Sequence, residues 1–465
     1  MREKSIQLPD KFKANFISQF GQLEFDALLM SFESNSPSSI RLHPTKGTGL
    51  YPDSKAIPWY SELGRYLSPR PQYVLDPLYH AGAYYSQEAS SMVFNKFLKD
   101  LEQPVRALDL CAAPGGKSSL LYDELPAGSL LVSNELVGKR NMVLQENLTK
   151  WGTRNVIITR AGVDDFNNFK ECFDIILIDA PCSGEGMFRK DEYAVSQWSP
   201  ALVKQCSVIQ KNLLTMAWEL LAPGGRLIYS TCTFESAENF DPLVELYAEN
   251  SSEMLPVYLN ENDAKKWDLT TVEIPVSDSK PFLGYYCFMH KVQGEGQYLS
   301  CIQKDGDDDI ADHKPLKKKV LSKFNPKVNF VNEGIQDLLF TYLDRVVHTD
   351  TVFINLFEHL IGQMENYKAG THIGTIIRQD LIPDIALILD NLESKNSEYL
   401  DLNLSEALQY LQRKSPENLE LGSNKWLILR HSNINIGWGK VVNGRLNVHY
   451  PSDWKIRKQL SFEEY

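Results

Sequence analysis

The clearest indication of the architecture is the stretch VRALDLCAAPGGKSS, residues 105–119. An apolar run that contains one acid is followed by a turn on Pro114, Gly115 and Gly116 and then by a helical pattern. A buried strand that turns on glycines into a helix is typical of a βαβ unit, whose helix N-terminus can bind an anion. The stretch therefore predicts the ligand-binding end of a parallel sheet.

Apolar runs typical of further strands follow along the chain. They lie at residues 129–134, 155–159, 173–180, 225–231 and 282–292. Amphipathic segments at 137–150 and 200–221 lie between them, and Ser199 followed by Pro200 is a favourable start for the second helix. Because strands and helices alternate in this way in parallel sheets covered by helices, the sequence predicts an α/β fold.

Changes in pattern divide the 465 residues into five predicted segments. Residues 1–72 combine two helical patterns with a strand-like SIRLHP and predict an α+β extension. The α/β domain spans 73–292, a linker spans 293–327, an intermediate C-terminal region spans 328–379 and a β-rich domain spans 380–465. In the last segment a helix is predicted at 404–414, and Asn443-Gly444 between alternating apolar positions predicts a β-hairpin.

The charge balance limits how this protein can bind nucleic acid. Its net charge is −12, which argues against RNA binding through the whole surface, because such binding depends on neutralising phosphates. A local basic face is still compatible with that balance. Six lysines from Lys314 to Lys327 follow an acidic patch at Asp305, Asp307, Asp308 and Asp309, and they form either a solvated linker or an RNA contact.

The cysteines and the N-terminus indicate the compartment. Seven cysteines include no C-x-x-C pair and no nearby histidine cluster, which argues against a structural zinc site. The start MREKSIQLPDKFKANF lacks the apolar core of a signal peptide, and no run of about 18 apolar residues occurs. We therefore expect a cytoplasmic protein with no metal and no membrane partner.

Three kinds of cofactor site can be compared at the first turn. A phosphate-binding P-loop would need glycine at position 111, which is cysteine, and the G-x-G-x-x-G of a dinucleotide site is absent. The third kind binds S-adenosylmethionine, whose amino acid moiety lies against glycine-rich backbone with its carboxylate at a helix N-terminus. Glu135, at the end of the second strand, is then placed to accept hydrogen bonds from the ribose hydroxyls.

Four motifs carry a resemblance to a known family. LDLCAAPGGK (108–117), LIDAPCSGEG (177–186), IYSTCT (228–233) and QEASSM (87–92) resemble the Sun/Fmu-type RNA cytosine-5 methyltransferases over about residues 72–292. GWGKVVNGRLNVHYP (437–451) resembles the end of a PUA-like RNA-binding domain, so the layout looks like the RsmF group, which modifies small-subunit ribosomal RNA. The resemblance implies a Rossmann-like methyltransferase core between an N-terminal RNA-binding extension and a C-terminal PUA-like domain.

The resemblance also implies the site residues. Its cofactor site corresponds to Cys111, Ala112, Ala113, Pro114, Gly115, Gly116, Lys117, Glu135 and Asp179. One position departs from the family, because Gly162 stands where an acid near the adenine is often found, and Asp164 is the alternative acid. Lys117 either supports the pocket electrostatically or pairs with Asp109.

Forming 5-methylcytosine calls for a thiol. Addition of a thiolate to carbon 6, with an acid hydrogen-bonded to N3, makes carbon 5 nucleophilic toward a methyl sulfonium. Cys182 and Cys232 follow the fourth and fifth strands, so both reach one pocket if those strands are neighbours. The residues alone leave open which thiol attacks. The resemblance implies that Cys232 attacks, that Cys182 assists product release and that Asp179 holds N3.

Residues near the thiols are candidates for contact with an unstacked base. They are Phe188, Arg189, Lys190, Tyr84 and Tyr85. Glycines 184 and 186 are expected to let the backbone turn tightly where that base comes close.

Two other functions fit these residues less well than RNA cytosine-5 methylation. A catalytically silent RNA-binding factor of ribosome assembly would not need two thiols and Asp179 in one pocket. Methylation of an exocyclic amine typically uses a turn such as D-P-P-Y, where this chain has D-A-P-C. Transfer RNA is an alternative substrate to ribosomal RNA.

Overall fold

A sheet of ten strands is the centre of the computed structural model, which describes residues 7–276, 281–307, 312–416, 421–422 and 424–458. Asp308 and Asp309 of the predicted acidic patch lie outside the described residues, as do the first six residues and residues 459–465.

The helices, in chain order, are Asp10–Phe20 (α1), Gln22–Ser31 (α2), Pro77–His80 (α3), Gly116–Glu124 (α4), Gly138–Trp151 (α5), Glu192–Gln197 (α6), Pro200–Leu220 (α7), Ser236–Asn239 (α8), Asp241–Asn250 (α9), Glu261–Lys266 (α10), Ile354–Gln363 (α11), Ile385–Leu389 (α12) and Leu404–Leu411 (α13). Short 3₁₀ helices lie at Tyr73–Leu75, Ser90–Leu98, Val163–Phe166, Glu185–Met187 and Glu333–Leu338.

The first eleven strands are Ser38–Leu42 (β1), Gly64–Leu67 (β2), Tyr84–Ser86 (β3), Arg106–Asp109 (β4), Leu130–Asn134 (β5), Val156–Thr159 (β6), Phe173–Asp179 (β7), Leu221–Thr231 (β8), Met254–Val257 (β9), Thr270–Ile274 (β10) and Phe282–Cys287 (β11). The others are Gln297–Lys304 (β12), Ser322–Lys323 (β13), Leu339–Tyr342 (β14), Arg345–His348 (β15), Asn366–Ala369 (β16), Thr371–Ile377 (β17), Asp380–Pro383 (β18), Tyr399–Asp401 (β19), Lys425–His431 (β20), Ile434–Val442 (β21) and Arg445–His449 (β22).

The central sheet has the order β10-β11-β12-β8-β7-β4-β5-β6-β16, with β9 beside β12. Its five middle strands, from β8 to β6, run parallel, which confirms the predicted α/β fold. These strands read as nearly continuous apolar runs because helices cover both faces of a parallel sheet. β7 and β8 are direct neighbours, with Asp179 opposite Ser230, so the turns that follow them lie side by side.

The two predicted helices that flank these strands are present as α5 and α7. At the start of α7 the Ser199 hydroxyl accepts a hydrogen bond from the Leu202 amide at 3.1 Å, and Pro200 occupies the first turn. This N-cap was predicted, and an N-cap of this kind contributes about 1 kcal/mol to helix stability.

The prediction of a linker over 293–327 is wrong for its first part. Residues 297–304 form β12, which lies antiparallel between β8 and β11. Most of its side chains are buried, so the strand lacks the alternation of polar and apolar residues that marks a strand with one exposed face. The edge at β6 is likewise covered by a later segment, because β16 pairs with it antiparallel.

The N-terminal region packs directly against the domain of the central sheet. β1, β2 and β3 form a three-stranded antiparallel sheet. Phe12 and Phe16 of α1 are buried, and their rings lie 5.2 Å from Phe188 and 5.7 Å from Phe234, respectively. Because each fully buried phenylalanine contributes about 2 kcal/mol, these contacts fix the first helix beside the turns that follow β7 and β8.

The C-terminal region contains two further sheets. One has the order β13-β14-β15-β17-β18 and the other the order β19-β20-β21-β22. The predicted hairpin at Asn443-Gly444 joins β21 to β22, and both residues have positive φ, 50° and 73°. Within the part of the chain that the structure describes, no helix is both long enough and apolar enough to cross a membrane.

Candidate active site

The turn after β4, which we call the cofactor turn, comprises residues 110–117. Gly115 adopts φ +111°, a left-handed conformation that favours glycine, and α4 begins at the next residue. The turn is held from outside by α5, since the Asn147 side chain donates to the Pro114 carbonyl and Arg140 donates to the Ala113 carbonyl, both at 2.8 Å. The amides at the start of α4 and the positive end of its dipole suit a carboxylate ligand.

Asp109 is buried beneath the cofactor turn. Its carboxylate accepts hydrogen bonds from the Ser118 hydroxyl at 2.6 Å and from the Cys111 amide at 3.3 Å. Burial raises the pKa of Asp109 to about 7, and the negative charge of Asp179 adds to the rise. The proposed pairing of Lys117 with Asp109 is not formed, because Lys117 lies against Asp179 instead.

Glu135 stands at the end of β5 with a side chain that is 5% exposed. One carboxylate oxygen accepts from the Val137 amide at 2.8 Å, and the other pairs with Arg140 at 3.1 Å. A carboxylate fixed in this way next to the glycine turn fits the ribose of a nucleoside cofactor. In the turn after β6, the acid that bonds the Gly162 amide is Asp165, at 2.7 Å, while Asp164 is exposed.

The structure brings the two thiols together. The Sγ atoms of Cys182 and Cys232 are 3.2 Å apart, and the Cys232 amide donates to the sulfur of Cys182 at 3.3 Å. The hydrogen bond to Cys232 raises the pKa of Cys182 well above its usual range, and burial acts in the same direction. Cys182 therefore stays a protonated thiol at neutral pH.

Asp179 connects the thiols with the cofactor turn. Its Oδ2 lies 2.9 Å from the Lys117 ammonium at the start of α4, and its Oδ1 accepts from the Ser230 hydroxyl on β8 at 3.2 Å. Burial by itself lowers the pKa of Lys117, but the charge of Asp179 and its hydrogen bond outweigh that effect and leave the pKa raised. Lys117 therefore stays cationic beside Asp179, and its electrostatic support of the pocket stays a prediction.

Several of the residues predicted to contact a base lie in the protein core instead. Phe188 is fully buried against Phe12, the Arg189 side chain is buried in an ion pair with Glu295, and the buried Tyr84 hydroxyl donates to Asp76 at 2.6 Å. Aromatic side chains pack in cores more often than they bind ligands, and the sequence alone does not separate the two roles.

The other two residues predicted to contact a base, Lys190 and Tyr85, lie outside the core, and Gly186 has a packing neighbour that the sequence does not indicate. Lys190 is exposed, whereas Tyr85 packs over the start of α4, where an added Cβ on Gly116 would lie 3.1 Å from its ring. Gly186 has a different reason to be glycine than the predicted approach of a base. A Cβ there would lie 2.2 Å from the Gly296 carbonyl, so the backbone ahead of β12 occupies that space.

Two buried glutamates in the turns that carry Cys182 and Cys232 are not identifiable from the sequence. Glu185 is 1% exposed and Glu238 is 0% exposed, and both accept hydrogen bonds from backbone amides near the cysteines. A charged residue gives no sign of burial in a single sequence, so no pattern could have identified them. Among the residues described, no group of three or more histidine, cysteine, aspartate or glutamate side chains is placed to hold a metal ion.

Three family models match successive parts of the chain. The N-terminal domain of 16S rRNA methyltransferase RsmF matches residues 8–89, 16S rRNA methyltransferase RsmB/F matches 97–283, and the methyltransferase RsmF PUA domain matches 397–456. Together with the glycine turn and Glu135, the fold defines a Rossmann-like methyltransferase whose cofactor is S-adenosylmethionine. The chain belongs to the RsmB/F methyltransferase family and carries the N-terminal and PUA domains of the RsmF type.

Individual relatives agree with this assignment. Ribosomal RNA small subunit methyltransferase F of Erwinia tasmaniensis is 28% identical over 397 residues, which are 80% of this chain and 78% of the relative. The protein of the same name from Serratia proteamaculans is 42% identical over 161 residues, 34% of each chain. A methyltransferase homologue of known structure from Pyrococcus horikoshii shares the fold, with a TM-score of 0.50 and 24% identity over 64% of this chain and 96% of the homologue.

Proposed function

We propose that this protein transfers a methyl group from S-adenosylmethionine to carbon 5 of a cytosine in small-subunit ribosomal RNA. The observation that carries the proposal is the thiol pair, with its sulfur atoms 3.2 Å apart, in the turns that follow adjacent strands. Asp179 precedes Cys182 by three residues and reaches Lys117 of the cofactor turn. This arrangement supports a reaction that needs a nucleophile, a second thiol and an acid at one place beside a methyl donor.

The residues of the cofactor turn fit the methyl donor. The amides that follow Gly115 would hold its carboxylate, the Glu135 carboxylate would accept from its ribose hydroxyls, and Asp179 would border its amino acid moiety. When bound, S-adenosylmethionine supplies an electrophilic methyl group on a sulfonium.

In the proposed mechanism the sulfur of Cys232 forms a bond to carbon 6 of the cytosine. Asp179 shares a proton with N3, so that electron density moves through the ring to carbon 5, which takes the methyl group. Water then takes the carbon 5 proton, N3 returns its proton to Asp179, and the bond between carbon 6 and the sulfur of Cys232 breaks, which restores the aromatic ring. Cys182, a neutral thiol in contact with Cys232, assists this last step.

Support for RNA as the substrate comes from the relatives and from the surface. The matched family models and the relatives are described as rRNA methyltransferases. A groove of about 920 Å³ lies between the N-terminal region and the catalytic domain, and the exposed side chains of Lys55 and Arg70 line it. The chain as a whole has a net charge of −12, so RNA binding depends on local cations. A serine-rich groove with these two cations is a suitable path for single-stranded RNA. The proposal includes a cytoplasmic location, where ribosomal subunits are assembled.

The roles of the two thiols can be tested with single variants. Each variant is incubated with small-subunit ribosomal RNA and S-adenosylmethionine and is then analysed by denaturing electrophoresis. Cys182→Ala should accumulate a slowly dissociating protein–RNA adduct, because attack is intact and release is impaired. Cys232→Ala should form no adduct and should lose methyl transfer by at least about a thousandfold.

Cys206→Ala, a variant at a buried thiol of α7, is the matched control and should behave as the wild type. An adduct in Cys232→Ala but not in Cys182→Ala would reverse the two roles. Methyl transfer that persists unchanged in Cys232→Ala would overturn the cytosine-5 mechanism. Mapping the RNA in the trapped adduct identifies the nucleotide. In a parallel incubation with transfer RNA, an adduct that forms there and not with ribosomal RNA would replace the ribosomal substrate.

A further inference from the structure

The two turns that carry the thiols are tied to each other by buried glutamates. We call residues 180–186, after β7, the first thiol turn, and residues 232–238, which run from the end of β8 into α8, the second thiol turn. Glu185 of the first turn accepts a hydrogen bond from the Phe234 amide of the second at 2.9 Å. Glu238 of the second turn accepts one from the Ser183 amide of the first at 3.0 Å. Each turn therefore supplies a carboxylate that holds the backbone of the other.

Further contacts join the two turns. The Ser183 and Thr233 hydroxyls are 2.8 Å apart, and the Gly186 amide donates to the Cys232 carbonyl at 2.8 Å. These contacts span the same gap as the two sulfurs, so the 3.2 Å distance between the thiols depends on them.

The two thiol turns differ in how firmly each is held by residues that do not belong to the other turn. The second turn is fixed by Asn239 of α8, which accepts from the Thr231 hydroxyl at 2.6 Å and donates to the Thr233 carbonyl at 3.0 Å, on either side of Cys232. The first turn contains Gly184 at φ +78°, and between Gly184 and Cys182 it depends on Glu185 and on the bonds to the second turn, while Gln210 of α7 holds only its start, at the Pro181 carbonyl. Loss of the Glu185 contact should therefore move Cys182 and leave Cys232 in place.

We infer that Glu185 is a positioning residue for the release step, because it holds the Cys182 thiol against Cys232. This inference rests on the proposed function. Glu185 touches neither thiol directly, and it acts through the backbone of the second thiol turn.

The donors around each glutamate predict opposite results for the same conservative change. Both oxygens of Glu185 face N–H donors that cannot reverse, the Phe234 amide and the Trp198 indole at 2.8 Å, so Glu185→Gln sets an NH₂ group against a donor. At Glu238, one oxygen accepts from the Ser183 amide and from Gln210, while the other faces the Thr233 hydroxyl, which can accept. Glu238→Gln can keep these bonds and is the matched control.

The experiment measures adduct and turnover with S-adenosylmethionine and small-subunit ribosomal RNA. Glu185→Gln should accumulate at least about tenfold more adduct than the wild type and should lower kcat about tenfold, with KM for RNA and cofactor within about twofold. Glu238→Gln should match the wild type. In the Cys182→Ala background, Glu185→Gln should add nothing, because the thiol that it positions is absent.

A second variant keeps the test decisive if Glu185→Gln folds poorly. Trp198→Phe removes the indole donor, so in the double variant Glu185→Gln/Trp198→Phe the amide can turn its oxygen to Phe234. We expect the double variant to release product as the wild type does, and an adduct that persists at the Glu185→Gln level would overturn the inference.

The remaining outcomes distinguish failure of the positioning role of Glu185 from failure of the proposed function. If Cys182→Ala traps an adduct and Cys232→Ala does not, while Glu185→Gln is slow without trapping one or releases product normally, Glu185 does not position the release thiol but the proposed function stands. If neither single cysteine variant behaves as expected, the proposed function fails first.

Discussion

The cofactor turn and the two thiol turns lie at the same edge of the sheet, but they are held by different means. The cofactor turn is supported by neighbours close in sequence, such as Asp109 and Ser118, and by α5. The thiol turns are about fifty residues apart, and each is held by a buried glutamate of the other. A motif can therefore specify the first kind of turn, whereas the second kind depends on the folded sheet.

The largest expected effect in comparing these turns is at Asp179. This residue ends β7, directly before the first thiol turn, and it pairs with Lys117 at the start of α4. Asp179→Asn should lower kcat/KM about a thousandfold, because N3 loses its proton partner. Cofactor affinity should fall by about tenfold or less, because the glycine turn and Glu135 still hold the cofactor. The readout is adduct formation in the Cys182→Ala background, where Asp179→Asn should abolish trapping. Trapping at the level of Cys182→Ala alone would show that addition to carbon 6 does not need Asp179. Asp191→Asn, at the exposed start of α6, is the control.

A stability measurement tests how tightly the thiol turns are packed. Gly186→Ala should lower the free energy of unfolding by about 3 kcal/mol, because its Cβ would lie 2.2 Å from the Gly296 carbonyl. Gly184→Ala, two residues away in open space, should cost about 1 kcal/mol, from its left-handed φ of +78° alone. Urea denaturation of both variants gives the comparison. Equal losses would mean that the first thiol turn has room to shift, which would contradict the close packing against β12.

The smallest expected effect concerns the acid beneath the cofactor turn. Burial raises the pKa of Asp109 from 3.8 to about 7, so the neutral form is stabilised in the folded state. Stability from this group is complete at low pH and is lost as the pH rises from about 4 to about 7, because the unfolded chain has already released its proton. Between pH 5 and 8 the wild type should lose roughly 2 kcal/mol more than Asp109→Asn, which keeps the bonds to Ser118 and Cys111.

Urea midpoints at pH 5, 6, 7 and 8, without cofactor, provide the measurement. Asp191→Asn should follow the wild type over the same range. If the urea midpoints of the wild type and Asp109→Asn change with pH in parallel, the neutral form of Asp109 does not stabilise the cofactor turn. The turn would then be supported over a charged carboxylate.

Much of the fold followed from patterns that are local in sequence. The five parallel strands, α5, α7 with its Ser199 cap and the hairpin at Asn443-Gly444 were all predicted, because periodicity and turn chemistry are readable over a few residues. β12 was missed because its side chains are buried on both faces. Topology rather than pattern places it beside β8.

The site shows the same limit. The motifs and the order of the strands indicated both cysteines and Asp179, since neighbouring parallel strands end at one edge of the sheet. Phe188 and Tyr84 were placed near the base for their residue type, but their burial is set by α1 and by Asp76, which the sequence cannot orient. Glu185 escaped notice inside a quoted motif because only its three-dimensional neighbours reveal its role.

The pairing of β16 with β6 has a consequence for folding during synthesis on the ribosome. β6 emerges early, but the strand that covers its edge follows only roughly 200 residues later, about 10–40 s at ordinary rates of synthesis. During that interval the nascent chain presents an open strand edge, the kind of surface on which a second chain can pair. Translation that stops before residue 366 would leave a polypeptide with an intact set of catalytic motifs and a strong tendency to aggregate.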